Sequence, residues 1–328
     1  MSLASHLADI TDDIKSEPIR NGFGHGLVEA GQLHEEVVAL CADLTDSTRI
    51  SYFKDEFPER YIQAGISEQN MTLLAAGLAN VGKIPFSSSY AAFHPGRSFD
   101  QIRTAVCMGE LPVKIVGSHA GVSVGPDGGT HQMLEDVALM RSLPHMVVVC
   151  PGDAVEAKKA TLAIAEDRDH PAYIRLAREA TPVITTEATP FDLHEAQVFR
   201  SGVDITLVGT GTMTYHLLVA AQHLAENLKI EAEVIHVPVV KPLDAATIIA
   251  SVAKTGIVVT AEEGQAAAGF GSAVLEALAE DHPVPLKRIG VHDSFGESGT
   301  PQELMQYFGL DSDSVYDTIK QFYNQQKG

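Results

Sequence analysis

The chain has no tryptophan, only three cysteines and little basic charge. The missing tryptophan decides nothing, but the other two shortages each remove a class of function. Cys41, Cys107 and Cys150 are scattered without a C-x-x-C pair, and two of them sit in apolar runs. That pattern reads as core thiols and argues against a disulfide framework or a zinc site. The 23 Lys and Arg stand against 43 Asp and Glu, a formal net charge of −20. Such a surface repels nucleic acid and anionic membrane, so neither is an expected partner. An anionic substrate must be held locally, by a few Arg and His, against this field. Met1 to Arg20 carries mixed charge without an apolar core, and no run approaches transmembrane length, so a cytoplasmic location is expected. Three familiar signatures are missing as well. Gly209-Thr210-Gly211 and Gly269-Phe270-Gly271 lack the third glycine of a G-x-G-x-x-G turn, and neither a G-x-x-x-x-G-K-[ST] loop nor a G-x-S-x-G elbow occurs. Dinucleotide, nucleoside triphosphate and serine-hydrolase readings therefore have little support.

What is present is an alternation. The 328 residues, 45% apolar and 20% charged, suffice for about two domains with full cores. Short apolar, β-branched runs alternate with longer helical patterns, the signature of parallel α/β layers. Strands are predicted at Val37–Asp43, Ile84–Ser88, Pro112–Ser118, Met146–Cys150 and Ala172–Leu176. Helices are predicted at Gly22–Ala30, Ser67–Val81, Arg97–Met108, His131–Arg141 and Ala154–Glu166. The strand segments are continuously apolar, as expected when both faces of a sheet are covered. From Thr181 to about Arg200 the pattern lapses into Pro, Thr and acidic residues, a plausible linker. A second block follows, with strands at Ile205–Val208, Ala232–Val237 and Ile257–Ala261. Its helices are predicted at Tyr215–Glu226, Ala245–Val252, Gly269–Ala279, Pro301–Phe308 and Ser314–Gln325. The expected fold class is α/β: two open, mostly parallel sheets with helices on both faces. One domain is expected over residues 1–185, a linker over 186–200 and a second domain over 201–328.

Several constellations could carry chemistry. Glu68 follows a Gly turn, Ala64-Gly65-Ile66-Ser67, and opens an apolar helical run through Leu78. An acid there complements the helix dipole. Backed by so apolar a run, it is also a candidate for proton transfer. The Gly-rich stretch from Ser118 to Gln132 follows a buried strand and carries His119, Asp127 and His131. Such groups bind hydroxyls and shuttle protons near neutral pH, on a loop where α/β sites lie. Tyr90 and Phe93 stand three apart at a strand end, placed to stack on a heteroaromatic ring. In Tyr173-Ile174-Arg175-Leu176-Ala177-Arg178, alternation sends Arg175 and Leu176 to opposite faces and leaves Arg178 at the rim. There an arginine can grip a phosphate. Arg20 and Ser47 are weaker anion-binding candidates.

Together and in order, these segments resemble the C-terminal half of transketolase. Gly65-Ile66-Ser67-Glu68-Gln69 is similar to the family's G-I-x-E-[HQN] motif, and Gly125 to Gln132 to its G-x-D-G-P-T-H-Q loop with Gly129 in place of Pro. Leu176-Ala177-Arg178 resembles its L-S-R strand end. Val258 to Glu263 and Gly269 to Val274 resemble the V-T-x-E and G-G-x-G-S-A-V segments of its C-terminal domain. The resemblance implies thiamine diphosphate chemistry. Glu68 would bond N1′ of the aminopyrimidine and drive activation of the thiazolium carbon by proton transfer, while Phe93 and Tyr90 line the ring pocket. His119, Asp127 and His131 would hold sugar hydroxyls, with a histidine assisting proton transfer. Arg178, with Arg20 and Ser47, would bind the substrate phosphate. One departure matters: no G-D-G…N motif for Mg²⁺ and diphosphate occurs, and Gly152-Asp153-Ala154 lies on the wrong side of the chain. The expectation is a split enzyme, with a partner subunit supplying the Mg²⁺ and diphosphate site in an α2β2 heterotetramer acting on sugar phosphates. A pentose phosphate role and a dedicated sugar catabolism both fit. A 2-oxoacid dehydrogenase E1 β-type subunit shares the Glu motif but has no use for a hydroxyl-reading loop. A 1-deoxyxylulose-5-phosphate synthase-like enzyme shares much of that loop but is a single long chain. A non-catalytic regulatory partner would not need to retain Glu68, His119, Asp127, His131 and Arg178 together.

Overall fold

The β-branched runs become the central strands of two sheets in the computed structural model, which describes residues 3–10 and 13–327. In chain order the first strands are β1 (Ser16–Pro18), β2 (Val37–Cys41), β3 (Tyr61–Gln63), β4 (Ile84–Tyr90), β5 (Lys114–Ser118), β6 (Val147–Val149), β7 (Ala172–Leu176) and β8 (Ala180–Pro182). They are followed by β9 (Gln197–Arg200), β10 (Ile205–Gly209), β11 (Ala232–His236), β12 (Val239–Lys241), β13 (Val258–Gln265) and β14 (Leu286–Val291). One sheet has the order β12-β6-β7-β5-β4-β2-β3 and the other β14-β13-β10-β11-β9, while β1 and β8 form a separate antiparallel ribbon. All pairings within the two sheets are parallel except β12 with β6 and β9 with β11. Every residue of β2, β5, β6, β10 and β11 is buried, which is why their sequences are mostly apolar rather than alternating; the buried Lys114 and Glu233 are exceptions, Lys114 bonding Asp167 O and His170 O and Glu233 pairing with Lys254.

The two-sheet α/β architecture follows the sequence reading; several details depart from it. The segment taken as a linker carries β9, an antiparallel edge to the second sheet. From the second half of the chain, β12 crosses back to edge the first sheet. The core is correspondingly continuous, with Ile115, Val148 and Tyr173 of the first block in one cluster with Val208, Ile235 and Val258 of the second. Arg97–Met108 is a short turn at Phe99–Gln101 followed by a π-helix, Ile102–Cys107. His131–Arg141 becomes helical only at Asp136. The residues before it stay in a loop because the buried Gln132 amide donates to Val122 O, Gly125 O and Glu297 O. The helix predicted at Gly22 starts at Ile19, behind Pro18, which places Arg20 and Asn21 in its first turn. Among the described residues no helix is long and apolar enough to cross a membrane.

Candidate active site

The carboxyl ends of β2, β4, β5 and β7 open along one edge of the first sheet, where parallel α/β folds hold ligands. Ladder register aligns Cys41 with Ser88, Tyr90 with Ser118 and Ser118 with Leu176. Tyr90, His119 and Arg178 therefore leave neighbouring strands side by side.

At one end stands the acid. Glu68 is the first residue of the helix Glu68–Asn80 and is 2% exposed. Its Oε2 accepts a 2.7 Å hydrogen bond from Arg97 Nη1. Its Oε1 has no partner among the described residues. The run behind Glu68 is apolar as the sequence suggested, but a guanidinium faces it in front. Arg97 also lies over the Phe93 ring, 4.6 Å from the centroid, a cation–π contact. Phe93 and Tyr90 are nearly parallel, with centroids 6.1 Å apart. Tyr90 stacks on His119 at 3.8 Å, and His131 meets Phe93 edge-on at 5.4 Å.

At the other end stands positive charge. Arg20 Nη1 lies 3.1 Å from His119 Nε2 and donates to Ser47 O at 2.8 Å. A guanidinium has only donors, so Nε2 must be the acceptor and the ring proton sits on Nδ1, which donates to Ser118 Oγ at 2.9 Å. Burial, and then the charges of Arg20, Arg178 and Arg49, push the His119 imidazole down to about 3. Its lone pair is engaged and it stays neutral near physiological pH. The Nε2 lone pair on which proton transfer by His119 would draw is held by Arg20. Ser47 enters this network through its backbone carbonyl, which accepts from Arg20. Arg178 donates to Val124 O at 2.7 Å and lies 3.4 Å from Glu179 Oε1. Asp127 is exposed and is not brought into the aromatic cluster.

The second domain supports this loop. The segment around Gly296–Pro301 packs against Gly125–Gln132, and a Cβ at Gly129 would fall 2.6 Å from Gly296 O. That approach accounts for glycine at the position where the related motif has proline. Sequence reasoning gave no role to Arg97 or Arg49. The only signal for them was position: Arg97 four residues past Phe93, and Arg49 two past Ser47.

A further buried histidine, His94, bridges Ser87 Oγ (2.9 Å) and Ser98 Oγ (2.8 Å), and burial pushes it down to about 3. Between its ordinary value near 6.5 and about 3 the unfolded chain binds a proton that the folded chain refuses, so stability falls with pH through that window. The melting temperature should drop from pH 7 to pH 5, and His94→Gln should flatten that slope. An unchanged slope in the variant would contradict the assignment.

The matching family descriptions are "Transketolase, pyrimidine binding domain" over residues 16–183 and "Transketolase, C-terminal domain" over residues 194–315. The chain belongs to the transketolase family, whose members are thiamine diphosphate enzymes. It is 43% identical over 239 residues to the 6-deoxy-6-sulfo-D-fructose transketolase subunit of Clostridium sp. strain MSTE9, covering 73% of this chain and 74% of that one. It is 41% identical over 300 residues to a transketolase C-terminal section of Methanocaldococcus jannaschii, covering 90% and 93%. A solved split-gene transketolase, described as an inactive β4 tetramer, superposes with a TM-score of 0.87 at 42% identity, over 94% of this chain and 98% of that one.

Proposed function

We propose that this chain is one subunit of a split, thiamine-diphosphate-dependent transketolase that moves a two-carbon ketol unit from a ketose phosphate to an aldose phosphate. The observation that carries the reading is a continuous wall of contacts. It runs from the Glu68 carboxylate through Arg97, Phe93, Tyr90 and His119 to Arg20. An acid, a flat aromatic surface and an anion seat thus follow one another in the order a cofactor ring and a phosphorylated sugar require.

The residues fit the cofactor: Glu68 keeps one carboxylate oxygen free beside an aromatic face. When bound, thiamine diphosphate supplies the stabilisation of a carbanion that side chains cannot provide. Glu68 Oε1 would hold a proton for the aminopyrimidine, while Arg97 fixes the carboxylate through Oε2. Phe93 and Tyr90 line the ring pocket. His131, Asp127 and His119 are assigned the sugar hydroxyls, and Arg20 and Arg178 the phosphate end, with Ser47 holding Arg20 through its carbonyl.

The diphosphate and its Mg²⁺ are assigned to a partner subunit carrying the G-D-G…N domain, in an α2β2 assembly. Two observations support a partner. Ile66, Leu73 and Leu74, beside Glu68 or on its helix, are 76%, 49% and 41% exposed, an apolar surface that needs cover. The related β4 assembly is described as inactive, as a half-enzyme should be. The purified chain alone is expected to bind thiamine diphosphate weakly and to turn over no substrate, and addition of the partner should restore both. Robust turnover by the isolated chain would refute the split.

A further inference from the structure

The anion seat holds one guanidinium more than the phosphate end described above. Arg49 lies in the turn after β2 with φ 65°, a left-handed conformation uncommon for a side-chain-bearing residue and most often kept at functional positions. It is held against the helix that carries Arg20. Its Nε donates to Asn21 Oδ1 at 2.9 Å and its Nη1 to Asp46 O at 3.2 Å. Gly24 permits this approach, because a Cβ there would fall 2.9 Å from Arg49 O.

Neither Arg49 nor Arg20 has a carboxylate partner among the described residues, although the chain carries 43 acidic side chains. The buried Nε of Arg20 has no hydrogen-bond acceptor among the described residues. A buried orphan donor costs free energy, and here further positive charge lies beside it. After burial, the charges of Arg49 and Arg178 are what depress the proton affinity of Arg20, against smaller opposing effects of Tyr90 and Glu179; Glu179 itself lies 3.4 Å from Arg178. Among the described residues the three guanidiniums of the seat thus share a single ion-paired carboxylate.

We propose that Arg49 is a specificity-determining residue, a third guanidinium that makes this seat prefer a dianionic phosphate monoester over a monoanionic sulfonate of the same shape. The inference rests on the phosphate-end reading of Arg20 and Arg178 and deepens it. A phosphate monoester carries nearly two negative charges and a trio of oxygens near neutral pH. Each added cation attracts a dianion about twice as strongly as a monoanion at the same distance. Two forks that share one tetrahedral oxyanion leave its third oxygen to be satisfied, and a third fork supplies that donor.

The test is direct binding to the complex with the partner subunit at fixed ionic strength, using D-ribose 5-phosphate and 5-deoxy-5-sulfo-D-ribose as probes. The wild-type complex is expected to favour the phosphate. Arg49→Gln should weaken phosphate binding roughly tenfold and sulfonate binding only about threefold, in line with their charges. Arg49→Lys should keep most of the preference, and circular dichroism should show both variants folded. If Arg178→Ala weakens phosphate binding while Arg49→Gln leaves both probes unchanged or weakens them equally, the assignment of Arg49 is overturned and the seat stands. If Arg178→Ala also has no effect, or the wild-type complex binds neither probe, the phosphate-end reading itself falls.

Discussion

Glu68→Gln is expected to abolish ketol transfer in the reconstituted complex, lowering kcat by roughly 10²- to 10⁴-fold, the range that a positioned acid or base supplies. The substitution is nearly isosteric. The amide oxygen still accepts from Arg97 Nη1, now 2.7 Å from the carboxylate, and the helix start at Glu68 keeps its volume. What is lost is the ionisable oxygen proposed to exchange a proton with the cofactor ring. The melting temperature should therefore change little while turnover disappears. Unchanged kcat would remove Glu68 from the mechanism, and a collapsed melting temperature would assign it to the fold.

Arg178→Ala should raise KM for phosphorylated substrates roughly 10- to 100-fold, the loss of a charge-assisted hydrogen bond worth about 1.5–3 kcal/mol. Unphosphorylated analogues should be affected far less. The side chain is anchored at the rim of β7 by its bond to Val124 O and pairs with the partly exposed Glu179, so truncation leaves no buried charge unpaired. Equal effects on both substrate types would sink the phosphate role and leave Arg178 as a brace between two loops.

The legible parts of this protein were those whose cause is local. Val147–Val149 and Val37–Cys41 announce buried strands because a run of β-branched and apolar residues has few other uses. β12, three residues long, could not be read in the same way, because its partner β6 lies some ninety positions earlier. The helix placed at His131 failed for a related reason. Met133 and Leu134 continue the apolar period but are buried in a loop, pinned by Gln132 to a segment of the other domain.

The candidate site divides along the same line. Glu68, the aromatic pair and the Gly-rich loop carry short motifs, so they could be named from the chain and from the resemblance. The state of His119 could not be named, because it is set by burial and by Arg20, distant in sequence. Arg97 and Arg49 went unassigned because an arginine in a turn is usually a solvated charge. Only the fold turns one onto Glu68 and the other toward Arg20.

The central claim concerns one carboxylate and one ring, and a structure of the complex with the partner subunit and thiamine diphosphate tests it most directly. A Glu68 oxygen is expected about 2.6–3.2 Å from N1′ of the aminopyrimidine, with the ring against Phe93 and the diphosphate on the other chain. A ring seated beyond hydrogen-bond reach of Glu68, or a diphosphate held by this chain's own residues, would contradict the account.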